Sequence, residues 1–498
     1  MWNIRALAVI GALWLSTSSL AHADFFNAFN NYKEGKFAEA LVQFKELAEL
    51  GDNASQFNLG VMSVRGEGME KNPGVGVGWM LAAAENGYTQ MAAEKLAQFK
   101  SALTPEQAVS ADKIVAQYGR RALERNLLPG ASMTRCRQFR YAHVEQFAKA
   151  NFPLGAAQDG RDGIVVVEFT VGVDGLARDV HVLASVPEGV FEDATIDAYL
   201  RSRFVPAMRN GEKVESRIPS KFTFYHEDGG ALWKLRSIDK VREAAEKRNP
   251  NAQYIIGLLG SMDRTLNVPE DEARAMVLQS AQAGHPNAQY WVAHQVQLEQ
   301  LCGNADKMVT WLEHAAKGGD SNAQIELVHH RIASSPDKID VQELKQLLSK
   351  AASRDNPYAM KHAVAILASS PIQALHDKDL ALSTAVRLKK YDNNSDPHIE
   401  DAMAAAYAAN GNFREAGKLQ ERAIKKAQKL YWNTQSMEER LANYAAGKPA
   451  SGDLFAVPPA ITAPPPVNNE AEDCSKKKRG CSRVPDKPRT PTGSFIQN

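Results

Sequence analysis

A repeating interval constrains this chain more than any other feature. Pairs of small residues recur at Ala244-Ala245, Ser280-Ala281, Ala315-Ala316 and Ala351-Ala352, at spacings of 36, 35 and 36 residues. A second marker keeps the rhythm: Asn251-Ala252-Gln253, Asn287-Ala288-Gln289, Asn322-Ala323-Gln324 and Tyr358-Ala359-Met360 follow the pairs at a constant offset. Two markers held at one offset describe a unit with two parts, a helical hairpin, and hairpins of this length stack so that each buries its apolar face against its neighbours. The small pairs allow close helix approach, Gly284 and Gly319 are placed to end helices, and Met276-Val277, Trp311-Leu312 and Leu347-Leu348 supply the bulk of the core.

The same unit shows near the N-terminus, where Ala54-Ser55-Gln56 and Leu59-Gly60 are followed by Gly66-Glu67-Gly68-Met69 and then by Trp79-Met80-Leu81-Ala82-Ala83-Ala84-Glu85-Asn86-Gly87. This stretch resembles Sel-like repeats, a subclass of the tetratricopeptide repeats. It departs from them at Gly74-Val75-Gly76-Val77-Gly78; a glycine costs about 1 kcal/mol in a helix interior, so a weak or frayed helix is expected there. No Gly-Lys-Ser/Thr follows and no strand precedes, which excludes a phosphate-cradling loop. Gly35-Lys36-Phe37 with Ala40 and Phe44, and Gly411-Asn412-Phe413 with Ala416 and Ala423, resemble ordinary tetratricopeptide units. The resemblance covers about residues 25–127 and 236–445 and implies superhelical arrays whose concave surface binds proteins or peptides.

Between about 147 and 228 the rhythm gives way to β patterning. Ile164-Val165-Val166-Val167-Glu168-Phe169-Thr170-Val171 is separated by Asp174-Gly175 from Asp179-Val180-His181-Val182-Leu183, and Asp-Gly between two apolar runs signals a hairpin. Phe191 to Phe204 has the spacing of an amphipathic helix, with Phe191, Ala194, Ala198 and Leu200 available to cover a sheet. Asn210-Gly211 makes a further turn before a third strand in which Val214, Ile218, Phe222 and Phe224 share a face. The unit reads as β-β-α-β, one helix on a sheet.

This region resembles the C-terminal domain of TonB, the periplasmic part of bacterial energy transducers. The resemblance rests on Phe152-Pro153, Gly163 through Phe169, Asp174-Gly175, Phe191-Glu192-Asp193-Ala194, Arg203-Phe204-Val205-Pro206-Ala207 and Asn210-Gly211. It implies a sheet to whose edge an outer-membrane receptor adds a short strand. The family's Gln-Pro-x-Tyr-Pro signature reads Lys149-Ala150-Asn151-Phe152-Pro153 here, and the membrane anchor and Pro-rich spacer of a transducer do not precede it, so transmission of force is not expected. The candidate peptide-binding edge is the third strand: Glu215, Ser216, Arg217, Ile218, Lys221, Phe222, Thr223, Phe224 and Tyr225. Pro219 suits an edge, because inside a sheet it would remove a ladder hydrogen bond. By alternation Arg217 and Lys221 lie opposite Ile218 and Phe222, where they favour acidic partners and discourage self-association; the competing reading is that a repeat helix covers this edge.

The N-terminus bears on compartment. Arg5, the apolar run Ala6 to Leu15 and Ala21-His22-Ala23 form the pattern of a secretory signal cleaved before Asp24, and Ala6 to Leu20 as a helix would span only ~22 Å against a ~30 Å hydrocarbon core. From Lys448 onward nine of the 23 prolines cluster, and Cys474-Ser475-Lys476-Lys477-Lys478-Arg479-Gly480-Cys481 suggests a basic loop closed by a Cys474–Cys481 disulfide in an oxidising compartment. Cys136 and Cys302 are either two buried thiols or one bridge across modules.

With 59 Lys and Arg against 58 Asp and Glu, the chain lacks the excess of a general nucleic-acid binder. It carries no His-Glu-x-x-His helix, Gly-x-Ser-x-Gly elbow or complete dinucleotide fingerprint, and His329-His330 is the one adjacent histidine pair. Glu192 and Asp193 suit a helix start better than acid–base chemistry. No catalytic, cofactor or metal residues are assigned.

The expected fold is multidomain and mainly α, with tetratricopeptide/Sel-like solenoids flanking a small α+β domain. Its expected parts are a signal peptide at 1–23, repeats at 24–127, a linker at 128–146, the TonB-like domain at 147–228, repeats at 229–447 and a Pro-rich basic disordered tail at 448–498. The expected role is a bacterial periplasmic scaffold that binds cell-envelope proteins or peptides, without catalysis, cofactor or a retained membrane anchor. The alternative is an accessory of TonB-dependent transport that binds outer-membrane receptor peptides; a hydrolase with an unrecognised site is the remaining class.

Overall fold

The computed structural model describes residues 23–129, 139–225, 236–262, 266–300, 306–334, 339–392 and 395–456. The signal segment up to His22, the Cys474–Cys481 pair, Cys136 and Cys302 lie outside the described residues.

The first array comprises α1 (Phe25–Lys33), α2 (Phe37–Glu49), α3 (Asn53–Arg65), α4 (Pro73–Glu85), α5 (Ala93–Ser101), α6 (Pro105–Tyr118) and α7 (Arg120–Asn126). Asp24, Asp52, Asn72 and Thr104 start four of these helices by accepting hydrogen bonds from backbone N–H groups two or three residues on. The glycine-rich segment expected to fray is instead the buried helix α4. Its glycines are contact points: a Cβ on Gly76 would lie 2.7 Å from the Gly60 carbonyl of α3, and one on Gly78 would lie 2.8 Å from the Ala111 backbone of α6. Packing gained by that close approach outweighs the helix propensity lost.

The middle domain comprises β1 (Phe139–Arg140), β2 (His143–Gln146), α8 (Leu154–Gln158), β3 (Gly163–Val171), β4 (Ala177–Val186), α9 (Glu192–Arg201), β5 (Arg203–Val205), β6 (Ala207–Arg209), β7 (Glu212–Val214) and β8 (Ser216–Phe224). The stretch expected as a linker at 128–146 thus contributes two short strands, β1 on β6 and β2 on β5. The main sheet is antiparallel in the order β4-β3-β8. Asn210 and Gly211, at φ of 54° and 89°, close the small β6–β7 hairpin, so the third long strand begins only at Ser216.

All of β3 is buried. Its odd-numbered side chains Val165, Val167, Phe169 and Val171 join Phe191, Tyr199, Leu200 and Phe204 in one core. The even-numbered Ile164 and Val166 join a different core, made with the second array.

That array comprises α10 (Arg236–Glu246), α11 (Pro250–Met262), α12 (Glu270–Gln282), α13 (Pro286–Gln300), α14 (Asp306–Lys317), α15 (Ser321–Ser334), α16 (Val341–Ser353), α17 (Pro357–Ser369), α18 (Lys378–Leu388), α19 (Pro397–Ala409), α20 (Phe413–Lys429) and α21 (Gln435–Ala445). The sequence period has a hydrogen-bond basis. Asn249, His285, Asp320 and Asn356, spaced by 36, 35 and 36, each accept a bond from the backbone N–H three residues on, capping the first helix of successive hairpins. The marker glutamines then tie hairpin to hairpin: Gln289 Nε2 donates to the Ala281 carbonyl at 3.1 Å, and Gln324 Nε2 donates to Ala316 at 3.0 Å. Gln56 repeats the bond to Ala48 at 2.9 Å in the first array.

The first array docks on the second. Trp311 Nε1 donates to the Leu127 carbonyl at 3.0 Å, Gln282 Nε2 donates to that of Leu50 at 3.1 Å, and Lys317 pairs with Glu46 at 2.6 Å. At the other end the chain turns back after α21. Residues 448–456, expected to begin the disordered tail, are described, and Ala450 and Leu454 are buried in the array's core.

Candidate functional site

The candidate edge is a strand with one strand neighbour. β8 pairs antiparallel with β3, Thr223 opposite Ile164 and Pro219 opposite Glu168, and no second strand pairs with it among the described residues. Glu215 and Tyr225 flank it. On the face toward α9, Phe224 stacks on Phe191 at 4.5 Å between ring centroids, Phe222 stacks on Phe147 at 5.4 Å, and Ile218 is buried. The Tyr199 hydroxyl lies within hydrogen-bond distance of Ser220 Oγ, at 2.7 Å, and of the Lys221 carbonyl, at 2.9 Å. The other edge, β4, is more engaged: its Leu183 carbonyl accepts from Tyr254 of α11 at 3.2 Å, and Leu176 bridges to Arg203.

The positions that carried the TonB resemblance have structural roles. A Cβ on Gly163 would collide with the Phe191 ring, and Phe152 sets its edge against Phe191 and Phe224 at 5.6 and 5.7 Å. Pro153 precedes α8. Asp174 pairs with Arg178 through both carboxylate oxygens at 2.9 and 2.5 Å, while Gly175, at φ 76°, presents its carbonyl to the Phe204 N–H at 3.0 Å. Phe204 packs on Phe169 at 5.0 Å, and the buried Pro206 follows. These residues specify a fold rather than a chemistry.

Arg217 is not the surface charge that strand alternation suggested. It lies on the array-facing side of β8, where it reaches Glu326 of α15, the Tyr358 hydroxyl of α17 at 2.7 Å, and Glu168 at 3.9 Å. Its acidic partner is internal. Burial alone would lower its pKa, but Glu326 and the other groups around it hold that pKa well above the usual arginine value. Glu326 is correspondingly lowered to about 2, Arg217 outweighing the effect of burial.

Glu168 lies at the centre of this interface with a fully buried carboxylate. Tyr290 Oη donates to it at 2.8 Å, His294 Nδ1 lies 3.0 Å away and His181 Nε2 lies 3.2 Å away. Burial would raise its pKa; His294, His181 and Arg217 hold it well below the usual carboxylate range. A second cluster surrounds Asp179 of β4, with Lys361 at 2.9 Å, His362 at 3.2 Å and His398 at 3.4 Å. Lys361 also pairs with Asp396 at 2.6 Å. Asp179 too is lowered despite burial, chiefly by Lys361 and His362, whereas burial pushes His362 down to about 4.

The partners on the array come from alternate helices, α11, α13, α15, α17 and α19, the first helix of each hairpin. One face of these helices therefore holds the sheet by a row of tyrosines, histidines and charges. This network was not anticipated from the sequence. One signal was available: Glu168 is the lone charge in an otherwise apolar strand, and a buried carboxylate requires partners. Among the described residues no group of three or more His, Cys, Asp or Glu is arranged to hold a metal ion.

Comparison with known proteins agrees with the central module. Residues 148–225 match the family model described as Gram-negative bacterial TonB protein C-terminal. Two solved structures are similar. One is c5321, a protective antigen of uropathogenic Escherichia coli strains displaying an SLR fold, at 15% identity over 85% of this chain and 72% of that one, with a TM-score of 0.30. The other is a Sel1 repeat protein from Oxalobacter formigenes, at 16% identity over 74% and 99%, with a TM-score of 0.26. No curated protein sequence matches the chain. The match at 148–225 and the helical hairpins on either side of it, capped at intervals of 35 and 36 residues in the second array, together make this a chain with a TonB C-terminal-like module set between Sel-like and tetratricopeptide-like repeats.

Proposed function

We propose that this protein is a periplasmic scaffold that captures an extended peptide of a cell-envelope partner along β8. The supporting observation is the asymmetry of the sheet. Among the described residues β4 and β8 each have β3 as their one strand neighbour, and a backbone carbonyl of β4, that of Leu183, is taken by Tyr254 of the second array. A partner strand added there satisfies backbone N–H and C=O groups and needs little from side chains. Because Arg217 points into the array, Lys221 and Thr223 of β8 and the flanking Tyr225 are the positions beside which an added strand would lie.

A photo-crosslinking residue at Tyr225, followed by mass spectrometry of periplasmic extracts, tests the reading. It should yield discrete partners, and the added change Thr223→Pro should reduce their yield at least fivefold with helical content unchanged. Equal yield from a folded Thr223→Pro protein would move the site to the arrays.

A second reading is favoured by the family match at 148–225: the captured peptides belong to outer-membrane receptors, and the protein is an accessory of TonB-dependent transport. Receptors among the crosslinked partners would select it. Neither reading has the chain carry force. No helix among the described residues is long and apolar enough to cross a membrane.

A further inference from the structure

The returning segment after α21 has the features of a bound peptide. Gly452, at φ 106°, donates its N–H to the Ser369 carbonyl of α17 at 2.7 Å, and Ser369 Oγ, 2.8 Å from the Ala365 carbonyl, lies 3.1 Å from that of Gly452. Two residues on, Leu454 is buried, and the Phe455 ring lies against His398 of α19 at 4.3 Å and His362 of α17 at 4.9 Å. Lys361 Nζ approaches the same ring at 5.9 Å. A small cavity beside the ring is lined by Arg178, His398, Trp432, Met437, Leu454 and Phe455. Main-chain pairing at a glycine, then an apolar anchor, then an aromatic anchor at a partly unfilled cavity is how an extended peptide is read.

The geometry points to a second peptide site, formed by α17, α19 and the loop before α21, that is occupied in cis by residues 450–455. It takes in trans an extended peptide of the same chemistry: a glycine followed two positions later by an aliphatic-aromatic pair. The cis segment is the competitor that such a partner displaces. Because α21 ends at Ala445, only a short connection holds the segment in place, so its effective concentration at the site is high and the intact protein should bind such partners weakly. The site adjoins Arg178 and Asp179 of β4, across the sheet from β8, and is independent of strand capture at that edge.

The test uses the full chain and a fluorescein-labelled synthetic peptide with the sequence of residues 449–456. By fluorescence anisotropy, the variant Leu454→Ser/Phe455→Ser should bind the peptide at least tenfold more tightly than the unaltered protein does. A peptide with serine at both anchor positions should not bind saturably. Thr223→Pro should behave as the unaltered protein in this assay, which separates the site from β8. If the double variant unfolds without cooperativity, Phe455→Ala replaces it. No saturable binding by a folded variant makes the segment a structural cap and overturns the inference, as does equal binding by the variant and the unaltered chain.

Discussion

The two faces of β3 are closed by different physics. Toward α9, Val165, Val167, Phe169 and Val171 meet only apolar groups, and that burial is strong but indifferent to small shifts in orientation. Toward the array, Ile164 and Val166 are followed by Glu168, whose carboxylate must find Tyr290, His181 and His294 at hydrogen-bonding distances. A buried ion pair adds little net stability over well-packed apolar residues, yet losing one partner is expensive. The apolar face makes the domain fold, and the polar face fixes where it sits in the array.

The largest expected effect breaks the polar face. Arg217→Ala leaves Glu168 and Glu326 without their shared cation, and should destabilise the protein by about 3–5 kcal/mol in urea unfolding. An equal fall from Arg217→Met, which keeps an unbranched apolar stem, would show that the charge, rather than the packing of that stem, is responsible. A result near zero would mean that water reaches Glu168.

On the apolar face Val167→Ala should cost about 2–3 kcal/mol, through lost burial and a residual cavity. This loss should be the same at pH 5 and pH 8, since burial raises the pKa of Tyr199 in that core and its hydroxyl stays protonated throughout. A pH-dependent loss would couple the two faces.

The smallest effect concerns Asp320, which caps α15 through Oδ1 to the Ala323 N–H at 2.7 Å. Burial raises its pKa to about 7. The folded state then holds a proton that the unfolded chain releases near pH 4, so this group's contribution is full below that pH and is lost as pH rises through about 7. His362 works in the opposite sense: depressed to about 4, it costs stability as pH falls from about 6.5. Asp320→Asn keeps the cap and removes one of these terms. Its stability relative to the unaltered protein should increase by about 1 kcal/mol or more between pH 4 and 7.5, measured by thermal unfolding. A flat difference would rule out the raised pKa.

Sequence patterns showed the repeats, the hairpin at Asp174-Gly175 and the single-neighbour third strand, because each rests on residues close together in the chain. The capping residues Asn249, His285, Asp320 and Asn356 were legible in principle, being three positions before Ala in every marker, but their differing side chains hid the shared role. Gly74 to Gly78 misled because propensity describes an isolated helix, and the partner backbones of α3 and α6 decide this one. Arg217 misled for a related reason. Alternation assigns a side chain to a face of the sheet, but what covers that face is set by residues more than a hundred positions away.

The order of the chain gives the Glu168 face a further consequence. Synthesis proceeds from the N-terminus, so the sheet is complete at Phe224 before the helices that bury its second face exist. Until α11 to α15 arrive, Glu168 faces water and the apolar strip of Ile164, Val166 and Val186 is bare, and Asp179 waits longer, for α17 and α19. The nascent protein therefore passes through a stage with a finished domain and an open, sticky surface, the state in which chaperones bind and copies exchange partners. Most of the contacts that end this stage join residues far apart in sequence, so their closure is slow compared with folding of any single hairpin. The charges on that face carry a kinetic benefit: while waiting, they keep an otherwise aggregation-prone sheet hydrated.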